Sequence, residues 1–194
     1  MYKRQLYNTL DNICALAELD EKETLIQLVM NLSSFYRSSL SNGKMHISIG
    51  QELEISRAYL EILQIRYFHK FDFTITCPEA LKNYSCIKLL LQPILENSIY
   101  HGIKGLDRHG ILHIEAEDAG DCIRFTISDN GRGFSKEDYE KIWQQDADHF
   151  GIKSIQQRIL LYYGPGYGLS MESPQTGGCI TVITLPKQEG LPCH

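Results

Sequence analysis

The chain has 194 residues, which is enough for one domain with a full hydrophobic core, or for one domain with a small appendage. Hydrophobic residues make up 43% of it and charged residues 22%, and no apolar run approaches the roughly 20 residues that span a bilayer. The net charge of -5 comes without a block of like charges, which argues against the clustered basic face of a nucleic-acid-binding protein. We therefore predict a small molecule or another protein as the partner, and no nucleic acid.

Two helices are predicted in the first forty residues. The break at Leu19-Asp20-Glu21 predicts a tight turn between them, so the two helices form a hairpin. Their apolar stripe faces either the rest of the chain or a second copy in a four-helix bundle, and the spacing leaves both open. Because the N-terminus has no signal-peptide pattern, we expect a cytoplasmic location. Apolar residues at alternating three- and four-residue steps carry the helix prediction: Leu6, Leu10, Ile13, Ala17, Leu25, Leu28, Leu32 and Phe35.

The middle of the chain switches from helical to strand periodicity. After a short segment at 46–49, apolar residues at helical spacing predict a helix over about 51–67. Strict alternation of apolar and polar residues then predicts a half-buried strand over 71–77, which Pro78 ends. A further helix is predicted over about 87–101, strained or restarted where Pro93 removes a backbone donor.

The last part of the chain predicts an antiparallel sheet with one more helix. Two strands around 112–116 and 123–127 are joined by a turn at Gly120-Asp121, and a polar stretch from 130 to about 150 shows no clear period. A helix over 151–163 and two closing strands, 168–173 and 179–185, complete the pattern. The predicted fold class is α+β, a two-layer sandwich with helices on one face of a mostly antiparallel sheet.

One group of polar residues lies on the helix that ends at residue 101. Asn97, His101 and Lys104 are about one turn apart, which predicts an amide oxygen, an imidazole and an ammonium on one face. An amide oxygen is a hard ligand that suits magnesium bridged to substrate phosphates. Glu96, a quarter turn away, would orient or deprotonate an attacking group. The alternative is the ordinary solvated face of an amphipathic helix.

A second group follows a predicted strand directly. Asp129 at the strand end presents a carboxylate that suits the exocyclic amine of adenine, while Gly131 and Gly133 permit close approach of the backbone. The pattern is neither a dinucleotide-binding fingerprint, since the third glycine is missing, nor a P-loop, since no Gly-Lys-Ser/Thr follows. The alternative is a tight turn, for which Asn-Gly is a common pair.

The order of these motifs resembles the ATP-binding domain of the GHKL superfamily over roughly residues 71–186. Within it, the segment 91–102, LQPILENSIYHG, is similar to the N box of sensor histidine kinases of the LytS and YehU type. The segment 6–13, LYNTLDNI, resembles the end of their phosphoacceptor motif. The resemblance implies the Bergerat (GHKL) fold over residues 46–190, preceded over 1–45 by a helical hairpin for dimerisation and phosphoacceptance.

The resemblance also implies roles at the phosphate end of an ATP site. Asn97 would bind Mg²⁺ and Glu96 would assist phosphoryl transfer. His101 and Lys104 would lie near the phosphates. Gly151, at a helix start, would direct free backbone donors toward phosphate.

At the adenine end, the resemblance implies that Asp129 receives the adenine amine. Gly131 and Gly133 would let the chain pass close to the base. The segment from 130 to 150 would form a mobile ATP lid. The cofactors implied are ATP and Mg²⁺.

Two departures from the family pattern bear on function. The segment at the start of the helix predicted over 151–163 reads His149-Phe150-Gly151-Ile152-Lys153-Ser154. It keeps one of the two glycines of the family pattern and has serine in place of the family asparagine. Arg4 stands where the family has its phosphoacceptor histidine, within Asn-Pro-His-Phe. We therefore expect that this chain cannot phosphorylate itself at that position. We also expect it to be a fragment whose first five residues are foreign to a longer parent.

Three functions follow from these observations. The first is a histidine kinase that passes the γ-phosphoryl to histidine and then to a response regulator, as a homodimer whose parent is anchored in the bacterial inner membrane through an upstream region. The second is a pseudokinase that binds nucleotide or dimerises and signals by conformation. A GHKL ATPase or protein-serine kinase is disfavoured by the segment 6–13.

Overall fold

The computed structural model describes residues 2–39, 45–143 and 150–189. No helix within these ranges is long and apolar enough to cross a membrane. A single-turn 3₁₀ helix, Glu79–Leu81, and a π-helical segment, Ser98–Ile103, accompany the regular elements. The α-helices are α1 (Tyr2–Glu18), α2 (Lys22–Ser39), α3 (Ile49–Arg66), α4 (Gln92–Asn97), α5 (Lys136–Trp143) and α6 (Phe150–Tyr163). The strands are β1 (His46–Ser48), β2 (Phe71–Thr76), β3 (Ser85–Ile87), β4 (Gly110–Asp118), β5 (Cys122–Asp129), β6 (Gly168–Glu172) and β7 (Cys179–Pro186).

The main sheet has five strands in the order β2-β4-β5-β7-β6. Its first pair, β2 and β4, is parallel, and the other pairs are antiparallel. Alternate residues of β4 and β7 are buried, as expected when helices cover only one face of a sheet. The predicted α+β two-layer sandwich is confirmed, and helices α3, α4 and α6 supply the second layer.

The N-terminal hairpin forms as the sequence predicts. Asp20 takes a positive φ of 58° in the turn between α1 and α2. Leu28 and Phe35 of α2 are buried in the same core as the sheet, and the Phe35 ring lies 5.7 Å from that of Tyr59 on α3. The apolar stripe therefore packs at least partly on the rest of its own chain, whereas Met30 on α2 stays 66% exposed.

The predicted helix over 87–101 is wrong at its start, whereas its end lies within two residues of Ile103, where the helical segment ends. Residues Ser85–Ile87 form β3, which pairs with β1, and α4 begins only at Gln92. Pro93 lies in the first turn of α4, where its missing N–H costs nothing and its fixed φ favours helix initiation. Leu89 has a positive φ of 56°, which excludes a helix through that residue. Proline starts this helix and does not interrupt it.

Part of the polar stretch 130–150 is also helical, because α5 spans Lys136–Trp143. Ser135 caps α5: its hydroxyl accepts a 3.1 Å hydrogen bond from the Asp138 N–H and donates to the Asp138 carboxylate at 2.9 Å. The Ser-x-x-Asp signal is visible in the sequence. The remainder of the predicted lid, residues 144–149, lies outside the described residues, and so does the His149 departure.

Candidate functional site

A cleft open to solvent lies between the α4 and π-helical segment on one side and the end of β5 on the other. The cleft, counted with the part that is open to solvent, has a volume of about 520 Å³, and it brings both sequence motifs together. Four predicted site residues line it: Asn97, His101, Asp129 and Gly133. The other lining residues are Ser98, Gly102, Arg132, Phe134, Asp138, Ile142 and Cys179.

Asp129 places a carboxylate at the floor of the cleft. It is 9% exposed, and its Oδ1 accepts a 2.8 Å hydrogen bond from the Gly131 N–H. Oδ2 is buried and has no hydrogen-bond partner of acceptable geometry among the described residues. Burial raises the pKa of the Asp129 carboxyl, and the nearby Ser98 hydroxyl and the N–H groups of Gly131 and Cys179 offset part of that shift. A buried acceptor oxygen of this kind can accept a hydrogen bond from a ligand or from a water.

Glycines around Asp129 allow backbone segments to meet where side chains would not fit. A Cβ on Gly131 would lie 2.6 Å from Asp129 Oδ1. Gly133 has a φ of +71°, and a Cβ there would lie 2.3 Å from the Ser173 hydroxyl. Gly178, also at positive φ, would place a Cβ 2.2 Å from the Asp129 carbonyl oxygen. Close packing against neighbouring atoms therefore requires glycine at 131 and 133, and it requires glycine at 178 for the same reason.

The opposite wall comes from the end of α4 and the π-helical segment that continues it. Asn97 and His101 both line the cleft, as the one-turn spacing predicts. The Lys104 N–H donates to the Ile99 carbonyl at 2.8 Å, a five-residue step that adds a residue to the turn. Such π turns occur frequently at functional sites.

Lys104 does not share the face of Asn97 and His101, and this part of the prediction is wrong. Its Nζ lies over the rings of Tyr67 and Tyr100, at 5.9 and 5.8 Å from their centroids. The extra residue in the π turn explains the difference, because it rotates Lys104 away from the direction that α-helical spacing gives. Its predicted role near phosphates is untested, and in this structure it does not line the cleft.

Glu96 lies beside the cleft and does not line it. Gln92 Nε2 donates a 2.9 Å hydrogen bond to Glu96 Oε1. Tyr59 is a second neighbour of the Glu96 carboxylate. Burial raises the pKa of Tyr59 well above its usual range, and the Glu96 carboxylate raises it further. The Glu96 carboxylate is thus held in a fixed position next to Asn97.

Gly151 lies in the first turn of α6 and outside the cleft lining. A Cβ there would lie 3.2 Å from Pro93 Cβ, so the absence of a side chain lets α6 approach α4. Arg158, further along α6, does not extend into solvent: it donates to the carbonyl oxygens of Lys88 and Leu89.

Sequence reasoning missed several residues that line the cleft, among them Arg132, Phe134 and Cys179. Arg132 and Phe134 are adjacent in sequence to the glycines of the motif, so their proximity to Gly131 and Gly133 could have indicated that they line the cleft. Cys179 comes from β7, which pairs Cys179 with Asp129. Its pKa is raised to about 11, mainly by burial. Only the register of β5 and β7 shows this neighbour, and the sequence alone does not contain it.

Comparison with known proteins identifies the class to which this fold and cleft belong. A family model described as "Histidine kinase" matches residues 5–71, and one described as "Histidine kinase-, DNA gyrase B-, and HSP90-like ATPase" matches residues 84–189. The second match covers more than half of the chain, and the chain therefore belongs to that ATPase family. The predicted resemblance to the GHKL superfamily is confirmed.

Individual relatives are sensor histidine kinases of the predicted type. The chain is 32% identical to sensor histidine kinase YesM of Bacillus subtilis over 93% of its length, and 25% identical to sensor protein LytS of Staphylococcus haemolyticus over 90%. It spans 31% of the length of each. Its fold resembles histidine kinase ThkA, solved in complex with response regulator protein TrrA, with a TM-score of 0.57 and 15% identity over 97% of this chain and 61% of that one.

Proposed function

We propose that this chain binds Mg²⁺-ATP in the described cleft, as the ATP-binding catalytic portion of a two-component sensor histidine kinase. One observation carries the proposal: the buried Oδ2 of Asp129, which has no partner among the described residues, at the floor of a cleft in a GHKL-type fold. The exocyclic amine of adenine is a donor of the kind that this oxygen requires.

The base end of the cleft fits an adenine ring. Asp129 would accept the amine, and glycine at 131 and 133 lets the backbone beside it pack closely on its neighbours, because a Cβ at either position would meet protein atoms at 2.6 Å or less. Phe134 and Ile142 add apolar surface to the same lining.

The phosphate end of the proposed site lies at Asn97 and His101. Asn97 would hold Mg²⁺ through its amide oxygen, which fits a cation that takes oxygen ligands and keeps several waters while bridging to phosphates. Bound Mg²⁺ would supply charge stabilisation to the transferring phosphoryl group. His101 and Arg132 are the remaining polar side chains of the lining with a ring or guanidinium N–H to offer to phosphate oxygens.

Phosphoryl transfer would break the bond between the β,γ-bridging oxygen and the γ-phosphorus and form a bond from that phosphorus to a histidine nitrogen. ADP leaves, and the imidazole proton passes to a base. Glu96 is proposed for this role because Gln92 and Tyr59 hold its carboxylate next to Asn97. The histidine would belong to the parent protein, since Arg4 occupies the corresponding position here.

The phosphoryl group would then pass to an aspartate of a response regulator. Support comes from the fold shared with ThkA, which was solved in complex with response regulator protein TrrA. We also propose that residues 1–45 form the dimerisation and acceptor region of a homodimer and residues 46–190 the catalytic domain. The parent protein would be anchored in the bacterial inner membrane by an upstream segment.

A pseudokinase is the second candidate. It is favoured by Arg4 at the acceptor position and by Ser154 in place of the family asparagine on the helix that follows the lid. Such a protein would bind nucleotide in the same cleft without transferring phosphate.

Calorimetric titration of the chain with ATP, with Mg²⁺ and with EDTA, tests nucleotide binding. We expect saturable, Mg²⁺-dependent binding that Asn97→Ala abolishes. Unchanged affinity in Asn97→Ala would contradict the proposed role of that amide, and no binding to the original chain would contradict both candidate functions.

A second experiment separates the kinase from the pseudokinase. Positions 2–5 are replaced by Asn-Pro-His-Phe, and the variant is incubated with γ-labelled ATP and Mg²⁺. Acid-labile, base-stable label on the restored chain, and none on the original, supports the histidine kinase. Binding of ATP without label on the restored chain supports the pseudokinase.

A further inference from the structure

A buried carboxylate outside the cleft lies behind the start of the helix that carries Asn97. Glu52, on α3, is 0% exposed. Its Oε2 accepts a hydrogen bond from the Leu89 N–H at 2.8 Å, and its Oε1 accepts one from the Leu91 N–H at 2.9 Å. An ionised carboxylate is rarely buried unless it is paired, so these bonds account for its presence in the core.

The receiving segment, residues 88–91, has the shape of an anion-binding backbone nest. Leu89 is in the left-handed region, with a φ of 56°, which turns the two N–H groups toward the same point. Such nests commonly hold phosphate or a carboxylate, and Glu52 fills this one from within the protein. The left-handed conformation is unfavourable for a non-glycine residue and persists only where neighbouring groups enforce it.

The opposite side of the same segment is held by α6. Arg158 donates to the carbonyl oxygens of Lys88 and Leu89. Burial raises the pKa of the Glu52 carboxyl, and the backbone N–H groups of residues 89–91 and the Arg158 charge offset part of that shift. The Tyr163 hydroxyl accepts from the Ile87 N–H at 2.9 Å. The N–H groups of Leu89 and Leu91 therefore bond to α3, while the carbonyl groups of Lys88 and Leu89 bond to α6.

The held segment leads directly into α4. Leu91 is the N-cap residue of α4 and makes no side-chain capping hydrogen bond. Its N–H is instead bonded to Glu52, and Asn97 is the last residue of this six-residue helix. Because α4 is so short, a displacement of its first turn would carry Asn97 with it.

We propose that Glu52, acting with Arg158, is a positioning residue that sets the location of Asn97 and His101 by fixing the backbone of residues 88–91. The inference rests on the proposed function for its consequence in nucleotide binding. Its structural part, the restraint on the backbone, can be measured without nucleotide. Glu52 is not among the residues that line the cleft, so its effect on the ligand would pass through the start of α4.

The test uses the full 194-residue chain in four forms: unaltered, Glu52→Gln, Arg158→Lys and Leu60→Ala. Glu52→Gln keeps the size of the side chain but places an amide NH₂ against a backbone N–H. Arg158→Lys keeps the charge but loses the planar fork that bonds to two carbonyls. Leu60, fully buried on the same helix, is the control, because Leu60→Ala leaves a cavity in the core without removing a hydrogen bond to residues 88–91.

Mg²⁺-ATP affinity is measured by calorimetry at a temperature where all four forms are folded. Hydrogen exchange of the Leu89 and Leu91 amides is measured in the nucleotide-free protein. We expect Glu52→Gln to lower Mg²⁺-ATP affinity by about tenfold or more, the range typical when a group that orients a ligand-binding residue is lost. Exchange of the two amides should accelerate by at least as much, and Arg158→Lys should change both quantities in the same direction. Leu60→Ala should leave the affinity unchanged and accelerate exchange at Leu89 and Leu91 no more than at other core amides.

Two results would overturn the proposal. One is unchanged exchange at Leu89 and Leu91 in Glu52→Gln. The other is accelerated exchange with unchanged affinity, which would show that Glu52 only stabilises the core. If the unaltered chain binds no nucleotide, the proposed function is contradicted independently of the Glu52 proposal. The exchange result alone then decides whether Glu52 restrains residues 88–91.

Discussion

Gly131 and Gly102 touch backbone to backbone, although 29 positions separate them in the sequence. A Cβ on Gly131 would lie 2.6 Å from the Gly102 Cα, and the next residue, Arg132, donates its N–H to the Gly102 carbonyl at 3.2 Å. The contact joins the segment that carries Asn97 and His101 to the strand end that carries Asp129. Both halves of the proposed nucleotide site are therefore positioned by one glycine pair.

Gly131→Ala tests this contact. The added methyl group would overlap Gly102 and the Asp129 carboxylate, so we expect a loss of about 1–3 kcal/mol in the free energy of unfolding. ATP binding should weaken at least tenfold, because separation of the two segments displaces Asp129 from Asn97. Gly105→Ala is the matched control: nothing lies within 4 Å of its Cβ position, and its stability should change by less than about 0.5 kcal/mol. Urea unfolding and calorimetry measure both; equal behaviour of the two variants would contradict the role of the contact.

Sequence reasoning works where a local rule decides the outcome. Period-two alternation predicted β2, β4 and β5, and the Asp-x-Gly-x-Gly pattern that begins at the end of β5 predicted a glycine-lined carboxylate that the structure shows. It fails where a distant partner decides. The segment 88–91, Lys-Leu-Leu-Leu, has helical composition, but Glu52 and Arg158 hold it in a non-helical shape from two other helices. The π turn that diverts Lys104 likewise depends on packing that one-turn spacing cannot represent.

Asp129→Asn separates stability from binding. An asparagine oxygen can keep the bond to the Gly131 N–H, but the amide NH₂ at the other position repels a donor from the ligand. We expect Mg²⁺-ATP affinity to fall by about tenfold or more, while the free energy of unfolding at pH 7 holds or rises. Stability holds because the substitution removes a charge that burial disfavours.

The sign of the pH dependence follows from the raised pKa of Asp129. A carboxyl with a raised folded-state pKa binds more protons when folded, so its contribution to stability increases as pH falls through that pKa toward the unfolded value of about 3.9. The stability advantage of Asp129→Asn over the unaltered chain should therefore be largest at neutral pH and shrink toward pH 4. Urea unfolding at both pH values checks this, and an advantage that grows on acidification would contradict it.

Lys104→Met tests whether that ammonium contacts the phosphates. Its Nζ lies over Tyr67 and Tyr100, an exposed cation–π arrangement worth about 0.5–1 kcal/mol, and does not line the cleft. We expect ATP affinity to stay within about twofold and the free energy of unfolding to fall by no more than about 1 kcal/mol. A tenfold loss of affinity for ATP, but not for adenosine, would instead support the role near phosphates that the family resemblance implies.

Glu96→Gln tests chemistry apart from binding, on the chain restored to Asn-Pro-His-Phe at positions 2–5. Gln92 can still contact the oxygen of the new amide, so the fold of α4 and the affinity for Mg²⁺-ATP should change little. Loss of a positioned base typically lowers a rate by about 10²–10⁴-fold, and we expect phosphohistidine formation to slow within that range. Glu54→Gln, on the exposed face of α3, makes the same substitution away from the cleft and should leave the rate unchanged. Single-turnover labelling with saturating ATP compares Glu96→Gln with Glu54→Gln. A slow rate of phosphohistidine formation at unaltered ATP affinity in Glu96→Gln alone assigns Glu96 to the phosphoryl-transfer step. An unaltered rate would leave Glu96 as a hydrogen-bonding partner of Tyr59 and Gln92 without a part in catalysis.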